Sequence, residues 1–239
     1  MDKNFENPVK VRLFKTPTHN CSYIKDRQAS TIFVDPDLLI TKSVNTEFSE
    51  LGFRRSGSHL YRPDCDTCKA CISCRIPTKT FCIGNKHRRV IKKNQDLVVI
   101  KTNALTCDQS YGLYERYINT RHKDGDMYPA TSEQFEAFIQ AVTPDTLFYK
   151  FYLKNQLISV SIIDTLENGL SAVYTFFDPS EKQRSLGIYS ILIQLQNCIE
   201  MKLPYLFLGY WVKNCQKMEY KADFRPIEIL VEGRWLLAK

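Results

Sequence analysis

No stretch of this chain approaches the roughly 18 uninterrupted apolar residues of a membrane span, so a transmembrane helix is excluded as a reading of the sequence. The start, Met1 to Lys10, is charged and lacks the basic segment and apolar core of a secretory leader, which points to a cytoplasmic protein. Internal repeats and low-complexity tracts are also missing, and with them the solenoid and linker classes. Nine cysteines are an odd number, and four of them fall between Cys65 and Cys74, so a secreted disulfide framework fits poorly. A reducing compartment with a metal or redox cluster fits better. No Ser, His and Asp and no Cys and His stand in an arrangement that argues for a covalent nucleophile.

What is present is enough to fold: 239 residues with 44% hydrophobic content and 12% aromatics can bury a sizeable core. The excess of 33 Lys and Arg over 26 Asp and Glu gives +7, which favours a polyanionic partner but falls short of a nucleic-acid packaging protein.

The pattern is clearest in the C-terminal half. Leu147-Phe-Tyr-Lys-Phe-Tyr-Leu153, Leu157-Ile-Ser-Val-Ser-Ile-Ile163 and Leu170-Ser-Ala-Val-Tyr-Thr-Phe-Phe177 are strand-like runs. Short turn sequences at Lys154-Asn155-Gln156 and Glu167-Asn168-Gly169 separate them, which predicts an antiparallel meander. Asp178-Pro179 ends the third strand, and Leu186 to Met201 carries apolar residues at helical spacing up to Pro204. Tyr205 to Gly209 reads as a buried strand, Lys213 to Tyr220 as a short helix and Ile227 to Val231 as a closing strand, giving the order βββαβαβ. Upstream, Thr131-x-x-Gln134 is a capping box ahead of Phe135, Phe138, Ile139 and Val142, and Gln109 to Thr120 is a second amphipathic helix. The N-terminal part reads differently, with short strands such as Thr31 to Val34, a helix from Thr46 to Leu51 ended by Gly52, and the cysteine cluster. A boundary near Thr80 to Arg89 divides the chain into residues 1–85, a small Cys-containing domain, and residues 86–239. The fold class is α/β in the α+β sense, with a mixed, largely antiparallel sheet in the second part.

Glu181 to Tyr189 joins a strand to a helix N-terminus, where unpaired N–H groups favour an anion. Arg184 and Gly187 are its notable residues; the alternative is an ordinary loop with a tight-turn glycine. Cys65, Cys68, Cys71 and Cys74 repeat a three-residue step, and thiolates so spaced can converge on zinc or an iron–sulfur cluster, with Cys21 a further ligand. Reduced, non-ligating cysteines are the plain alternative. Phe53-Arg54-Arg55-Ser56-Gly57-Ser58-His59-Leu60-Tyr61 mixes guanidiniums, hydroxyls and aromatics, suited to phosphate contact and base stacking or simply to a solvated basic face. The same pair of readings holds for Lys86-His-Arg-Arg89 with Lys92 and Lys93. Arg121 to Met127 gathers His122, Asp124 and Asp126 in a loop, either acid/base groups or plain Asp-Gly turn chemistry. Tyr210 and Trp211, after Gly209, either wall a pocket for an apolar side chain or pack the core. Lys217, Tyr220 and Lys221 face a phosphate or carboxylate, or solvent.

Taken in order, these blocks resemble the arginyl-tRNA–protein transferase family, in its leucyl branch of bacterial aspartate/glutamate leucyltransferases. The residues that carry the likeness are His19-Asn-Cys21-Ser-Tyr23, Phe53 to Gly57, Tyr61-x-Pro63-x-Cys65-x-x-Cys68-x-Ala-Cys71, Arg121-His-x-Asp-Gly125, Ser171 to Tyr174, Phe177-Asp-Pro179, Ser185-Leu-Gly187-x-Tyr189, and Leu208-Gly-Tyr210 through Lys221. The resemblance implies a GNAT-like acyltransferase domain, leucyl-tRNA as donor, proteins with N-terminal Asp or Glu as acceptors, and a role in the N-end rule pathway. It also implies a structural zinc or iron–sulfur cluster on Cys21, Cys65, Cys68 and Cys71, with no cofactor required for the chemistry. Acyl-CoA transferases of the GNAT superfamily carry Arg-x-x-Gly-x-Gly or Arg-x-x-Gly-x-Ala at the phosphate loop. Here Tyr189 replaces the last small residue, which crowds a CoA pyrophosphate but admits a phosphate near a tRNA 3′ end.

The expected chemistry follows from the donor. An ester is already activated and an α-amine has a reference pKa of about 7.7 to 8.0, so positioning suffices without a nucleophile. Asp178 or Tyr174 is expected to relieve the amine of its proton. Arg184 with the Gly187 and Ile188 amides is expected to bind a tRNA phosphate, and Arg54, Arg55 or Lys221 to pair with the acidic acceptor. Ser56, Tyr189 and Tyr210 complete the expected substrate contacts. Arginine as the transferred residue and a metal-containing RNA-binding module without catalysis are the rival readings.

Overall fold

The structure, a computed structural model, describes residues 10–105, 108–125, 127–140, 142–213 and 215–238; the charged start over residues 1–9 and the loop residue Asp126 lie outside the described residues. In chain order the first elements are β1 (Leu13–Lys15), β2 (His19–Asn20), β3 (Gln28–Ala29), β4 (Thr31–Val34), α1 (Lys42–Glu50), β5 (Arg54–Ser56), β6 (His59–Pro63) and β7 (Cys71–Pro77). Next come α2 (Asn85–Lys93), β8 (Leu97–Thr102), α3 (Asp108–Arg121) and α4 (Ser132–Gln134), which runs into a π-helical segment, Phe135–Gln140. The C-terminal part holds β9 (Thr146–Leu153), β10 (Gln156–Thr165), β11 (Gly169–Phe177), α5 (Leu186–Glu200) and β12 (Tyr205–Val212). A 3-10 segment (Gln216–Asp223), β13 (Ile227–Val231) and β14 (Arg234–Ala238) complete it.

Local chemistry sets several of these boundaries. Thr41 accepts a hydrogen bond from the Val44 N–H, so α1 begins earlier than the expected Thr46. Thr131 caps α4 through the Gln134 N–H at 3.2 Å, as the capping box foretold. The meander β9–β10–β11 is antiparallel throughout.

The strands form an eight-stranded sheet in the order β14-β13-β7-β12-β11-β10-β9-β8, a four-stranded sheet β1-β4-β6-β5, and the hairpin β2-β3. The large sheet is mixed and largely antiparallel; β11 and β12 are its parallel pair. The expected division at residues 85 and 86 crosses this sheet, because β7 pairs with both β12 and β13. This strand, Cys71-Ile-Ser-Cys-Arg-Ile-Pro77, begins within the expected cysteine cluster, whose spacing hides its strand pattern.

Helices cover both faces. On one side Leu186, Tyr189, Leu192 and Leu195 of α5 pack with Ile163, Leu170, Leu206 and Leu208; on the other, Leu113, Tyr114, Tyr117 and Ile118 of α3 join Phe135, Ile139, Phe148, Val160 and Phe176. Each fully buried apolar side chain contributes about 1.5–3 kcal/mol. A buried ion pair ties the N-terminal strands to the sheet: Arg55 donates from Nε and Nη2 to Asp164 at 2.6 and 2.7 Å. Asp164 also accepts from Asn45 and Thr146, and Arg55 also donates to the Gly57 carbonyl. Both charged side chains are essentially without solvent exposure.

Candidate active site

The parallel pairing of β11 with β12 runs only from Gly169 opposite Tyr205 to Ser171 opposite Phe207, although both strands continue. Beyond that point Arg54 fills the gap. Its guanidinium donates to the carbonyls of Ala172 at 2.6 Å, Val173 at 2.9 Å and Leu208 at 3.3 Å, satisfying groups that the interrupted ladder leaves unpaired. Gly209 makes this possible: its φ is +72°, and a Cβ there would overlap the Arg54 guanidinium.

Lys221, on the 3-10 segment, reaches the same region and is buried, with its ammonium donating to the Tyr210 carbonyl. Burial lowers its pKa to about 8; nearby Cys74 opposes that shift and the neighbouring Arg54 charge adds to it. Among the described residues no carboxylate pairs with either Lys221 or Arg54. Two adjacent cations without a counter-ion form a ready site for an anion. Burial pushes the Tyr220 phenol up to about 12 beside Arg54, Cys74 and Tyr117.

Tyr174 continues this wall. Its ring meets Phe138 at 5.2 Å and Tyr117 at 6.4 Å, and burial raises its pKa well above the ordinary tyrosine value. A phenol so held stays protonated at neutral pH; it is a hydrogen-bond donor, not the proton acceptor expected from the sequence. Asp178 stands where β11 ends, with Oδ1 accepting from the Ser180 N–H at 2.9 Å and hydroxyl at 2.6 Å. Its Oδ2 faces Arg116 at 3.8 Å, the long limit of an ion pair.

Other expected contacts fall elsewhere. Arg55 is committed to Asp164, so it holds the fold and is not offered to an acceptor. Arg184 donates to Glu181, the Lys93 carbonyl and both oxygens of Asp96, which uses four of its five N–H groups. It ties the β11–α5 loop to the α2–β8 turn and has little left for a phosphate. Tyr189 is buried against Phe151, at 5.8 Å between rings, so it points into the core and crowds nothing at the loop. Gly187 lies in the first turn of α5, where a Cβ would meet Phe177 at only 3.6 Å, an ordinary contact. Tyr210 is a strut: its hydroxyl donates toward the Gly52 and Tyr61 carbonyls at 3.0 and 3.1 Å. Ser56 pairs with His59 in the β5–β6 hairpin.

The cysteines divide. Cys71 has its thiol pushed up to about 12 by burial and by the neighbouring Cys21, Cys65, Cys68 and Cys215. Four soft donors within electrostatic reach suit zinc or an iron–sulfur cluster in donor type. Among the described residues, however, no three His, Cys, Asp or Glu side chains are gathered as a ligand set. Cys74 belongs to the β11–β12 gap instead, buried with its Sγ 3.2 Å from the Gly209 carbonyl. Sequence reasoning missed Arg116 and the carbonyl clamp of Arg54; a lone arginine on a helix gives no periodic signal, and a long-range carbonyl contact gives none at all.

The strand pair, its arginine wedge and the buried lysine all derive from stretches shared with known transferases. Residues 19–89 match the arginine-tRNA-protein transferase N-terminus model and residues 109–231 match the C-terminus model. The chain belongs to the arginine-tRNA–protein transferase family. It is similar to the aspartate/glutamate leucyltransferase of Alcanivorax borkumensis, 51% identical over 94% of this chain and 93% of that one. It is also similar to those of Hahella chejuensis, at 48% over 93% and 95%, and Pseudomonas putida, at 46% over 95% and 97%. Among solved structures, L-PGS from Bacillus licheniformis aligns with a TM-score of 0.46 at 9% identity, covering 71% of this chain and 50% of that one, too slight a likeness to argue from.

Proposed function

We propose that this protein is an aminoacyltransferase that moves leucine from leucyl-tRNA onto the α-amine of proteins beginning with Asp or Glu. The names and high identity of its relatives over nearly the whole chain support the donor and the acceptor class. The observation that carries the acceptor assignment in this molecule is the pair Arg54 and Lys221, two adjacent cations facing no described carboxylate at the mouth of the β11–β12 gap. The acceptor's acidic side chain supplies the missing negative charge.

In this reading the neutral amine attacks the ester carbonyl carbon, the bond to the ribose oxygen breaks, and an amide forms. The proton lost by the amine goes to the departing ribose hydroxyl, with Oδ2 of Asp178, which accepts no hydrogen bond from a described residue and faces Arg116 at 3.8 Å, as its carrier. Tyr174, kept protonated by burial, donates to the oxyanion. Holding amine and ester in line contributes up to roughly 7–11 kcal/mol, and a single oxyanion donor about 2.7–4 kcal/mol. The sheet's meander, its following helix and the diverging parallel pair support a GNAT-like reading of the catalytic part. A structural zinc or iron–sulfur cluster on Cys21, Cys65, Cys68 and Cys71 is proposed on donor chemistry and takes no part in the transfer. Action in the N-end rule pathway of the cytoplasm follows from the acceptor class. No helix among the described residues is long and apolar enough to cross a membrane.

The test is transfer of radiolabel from leucyl-tRNA and arginyl-tRNA to peptides beginning with Asp, Glu or Ala. Leucine on the acidic peptides alone is expected. Arginine transfer would replace the donor, and tRNA binding with no transfer would leave the RNA-binding module. Asp178→Asn is expected to lower turnover by about 10²-fold or more at saturating substrates; full retention would remove Asp178 as proton carrier and leave it a strand terminator.

A further inference from the structure

At the end of the sheet where β11 reaches Asp178, a cleft of about 920 Å³ opens between α3 and the turn joining β9 to β10. The turn reaches this end because β10 runs antiparallel to both neighbours, setting Ser159 opposite Phe177 and Gln156 opposite Leu153. Gln109 and Arg116 of α3 line one wall, and Lys154, Asn155 and Gln156 line the other. Among the described residues no acidic side chain lines it. Arg116 is half exposed, and among the described residues its one ion-pair partner is Asp178 at 3.8 Å. Among the described residues none of these five side chains makes a hydrogen bond within the protein. Two cations and three amide side chains therefore face one open volume with their donors free.

That chemistry fits an extended anion whose charge recurs along its length. The size is that of a site for several groups, not for a single ion. An acidic peptide N-terminus concentrates its charge in one carboxylate, for which Arg54 and Lys221 are the enclosed match. A single-stranded RNA end offers successive phosphates to Arg and Lys, and base and sugar edges to amide side chains. The position is also right for the donor, because the ester at the 3′ terminus must enter beside Asp178 while the preceding nucleotides stay outside.

We infer that this cleft, with Arg116 on one wall and Lys154 on the other, holds the single-stranded 3′ end of the donor tRNA by its phosphodiester backbone. The inference rests on the transfer reading, and its test separates the two. Binding of uncharged tRNA to the full-length protein is measured by fluorescence anisotropy across a salt series, alongside KM and kcat for leucyl-tRNA and for an Asp-initiated peptide. Arg116→Ala and Lys154→Ala are each expected to weaken tRNA binding about tenfold and to reduce the salt slope by about 0.7. KM for leucyl-tRNA should rise with them while KM for the peptide stays unchanged. Arg116→Lys should retain the salt slope. Both positions are at the surface, so melting temperatures should match the parent protein. If the parent protein binds and transfers but both alanine variants keep parental tRNA affinity and slope, the cleft assignment is wrong and the transfer reading stands. If the variants raise KM for the peptide alone, the cleft belongs to the acceptor and the inference is overturned. If the parent protein binds no tRNA, the transfer reading fails as well.

Discussion

Replacing Arg55 by Ala tests whether this arginine, beside the arginine wedge in sequence, serves the fold or the substrate. In the parent protein the Asp164 carboxylate is fully buried and accepts from Arg55, Asn45 and Thr146. Removing the guanidinium leaves Asp164 with two neutral donors and no counter-charge. Breaking one side of a buried pair costs about 3–5 kcal/mol. For a chain of this size each kcal/mol lowers the melting temperature by roughly 2–4 °C, so the loss should be roughly 6–20 °C. Asp164→Ala should cost a similar amount by stranding Arg55. The double variant Arg55→Met with Asp164→Leu removes both charges and should recover much of the loss, since apolar replacement of a whole buried pair is often neutral. Thermal unfolding followed by far-ultraviolet circular dichroism, analysed as a double-mutant cycle, measures the coupling. An Arg55→Ala protein with parental melting temperature and a raised KM for acidic peptides would refute the structural role and return Arg55 to the acceptor site.

Lys221→Met should raise KM for Asp- and Glu-initiated peptides by about 10-fold or more, and the rise in parental KM above pH about 8, where the ammonium deprotonates, should vanish in the variant; peptide KM against pH is the measurement. The same lowered pKa sets a sign for stability. Below pH about 8 the protein carries the cost of a buried charge, and stability recovers as pH rises from about 8 toward the unfolded value of about 10.4, a gain absent from Lys221→Met in urea titrations. Gly209→Ala combines a left-handed backbone with displacement of Arg54, and it should match Arg54→Ala in activity loss without adding to it in the double variant. His87 is buried between Phe81 and Phe224, neither ring nitrogen is hydrogen-bonded to a described residue, and burial lowers its pKa. Because the unfolded chain then binds a proton more readily, stability should fall as pH drops below about 6.5, and His87→Phe should flatten that acid limb of melting temperature against pH.

Period and punctuation made the C-terminal half legible. The runs 147–153, 157–163 and 170–177 appear as β9, β10 and β11, and the spacing from Leu186 onward gives α5, because alternating and helical burial leave direct marks in sequence. β7 was hidden, since its residues carry the cysteine spacing and its partners lie more than a hundred residues away. In the candidate site the residue types were legible and their allegiances were not. Arg54 and Arg55 are neighbours with the same chemistry, yet strand alternation sends one to the β11–β12 gap and the other to Asp164. Arg184 matched a phosphate-loop position but finds two carboxylates nearer at hand. The role of Tyr174 turned on burial, which its place in a strand run did not reveal.

The position of β7 also bears on how the chain is made. A ribosome releases this strand early, and its two sheet neighbours, β12 and β13, emerge only near the end of synthesis. Until then β7 has two open edges and the meander's β11 edge is open as well, each a template for wrong pairing. Assembly of the β11–β12 gap is therefore a late event, because the arginine wedge from the first third of the chain can seat only after Gly209 has been added. A truncated product lacking the last thirty residues would keep most of its helices and still have no assembled place for an acceptor.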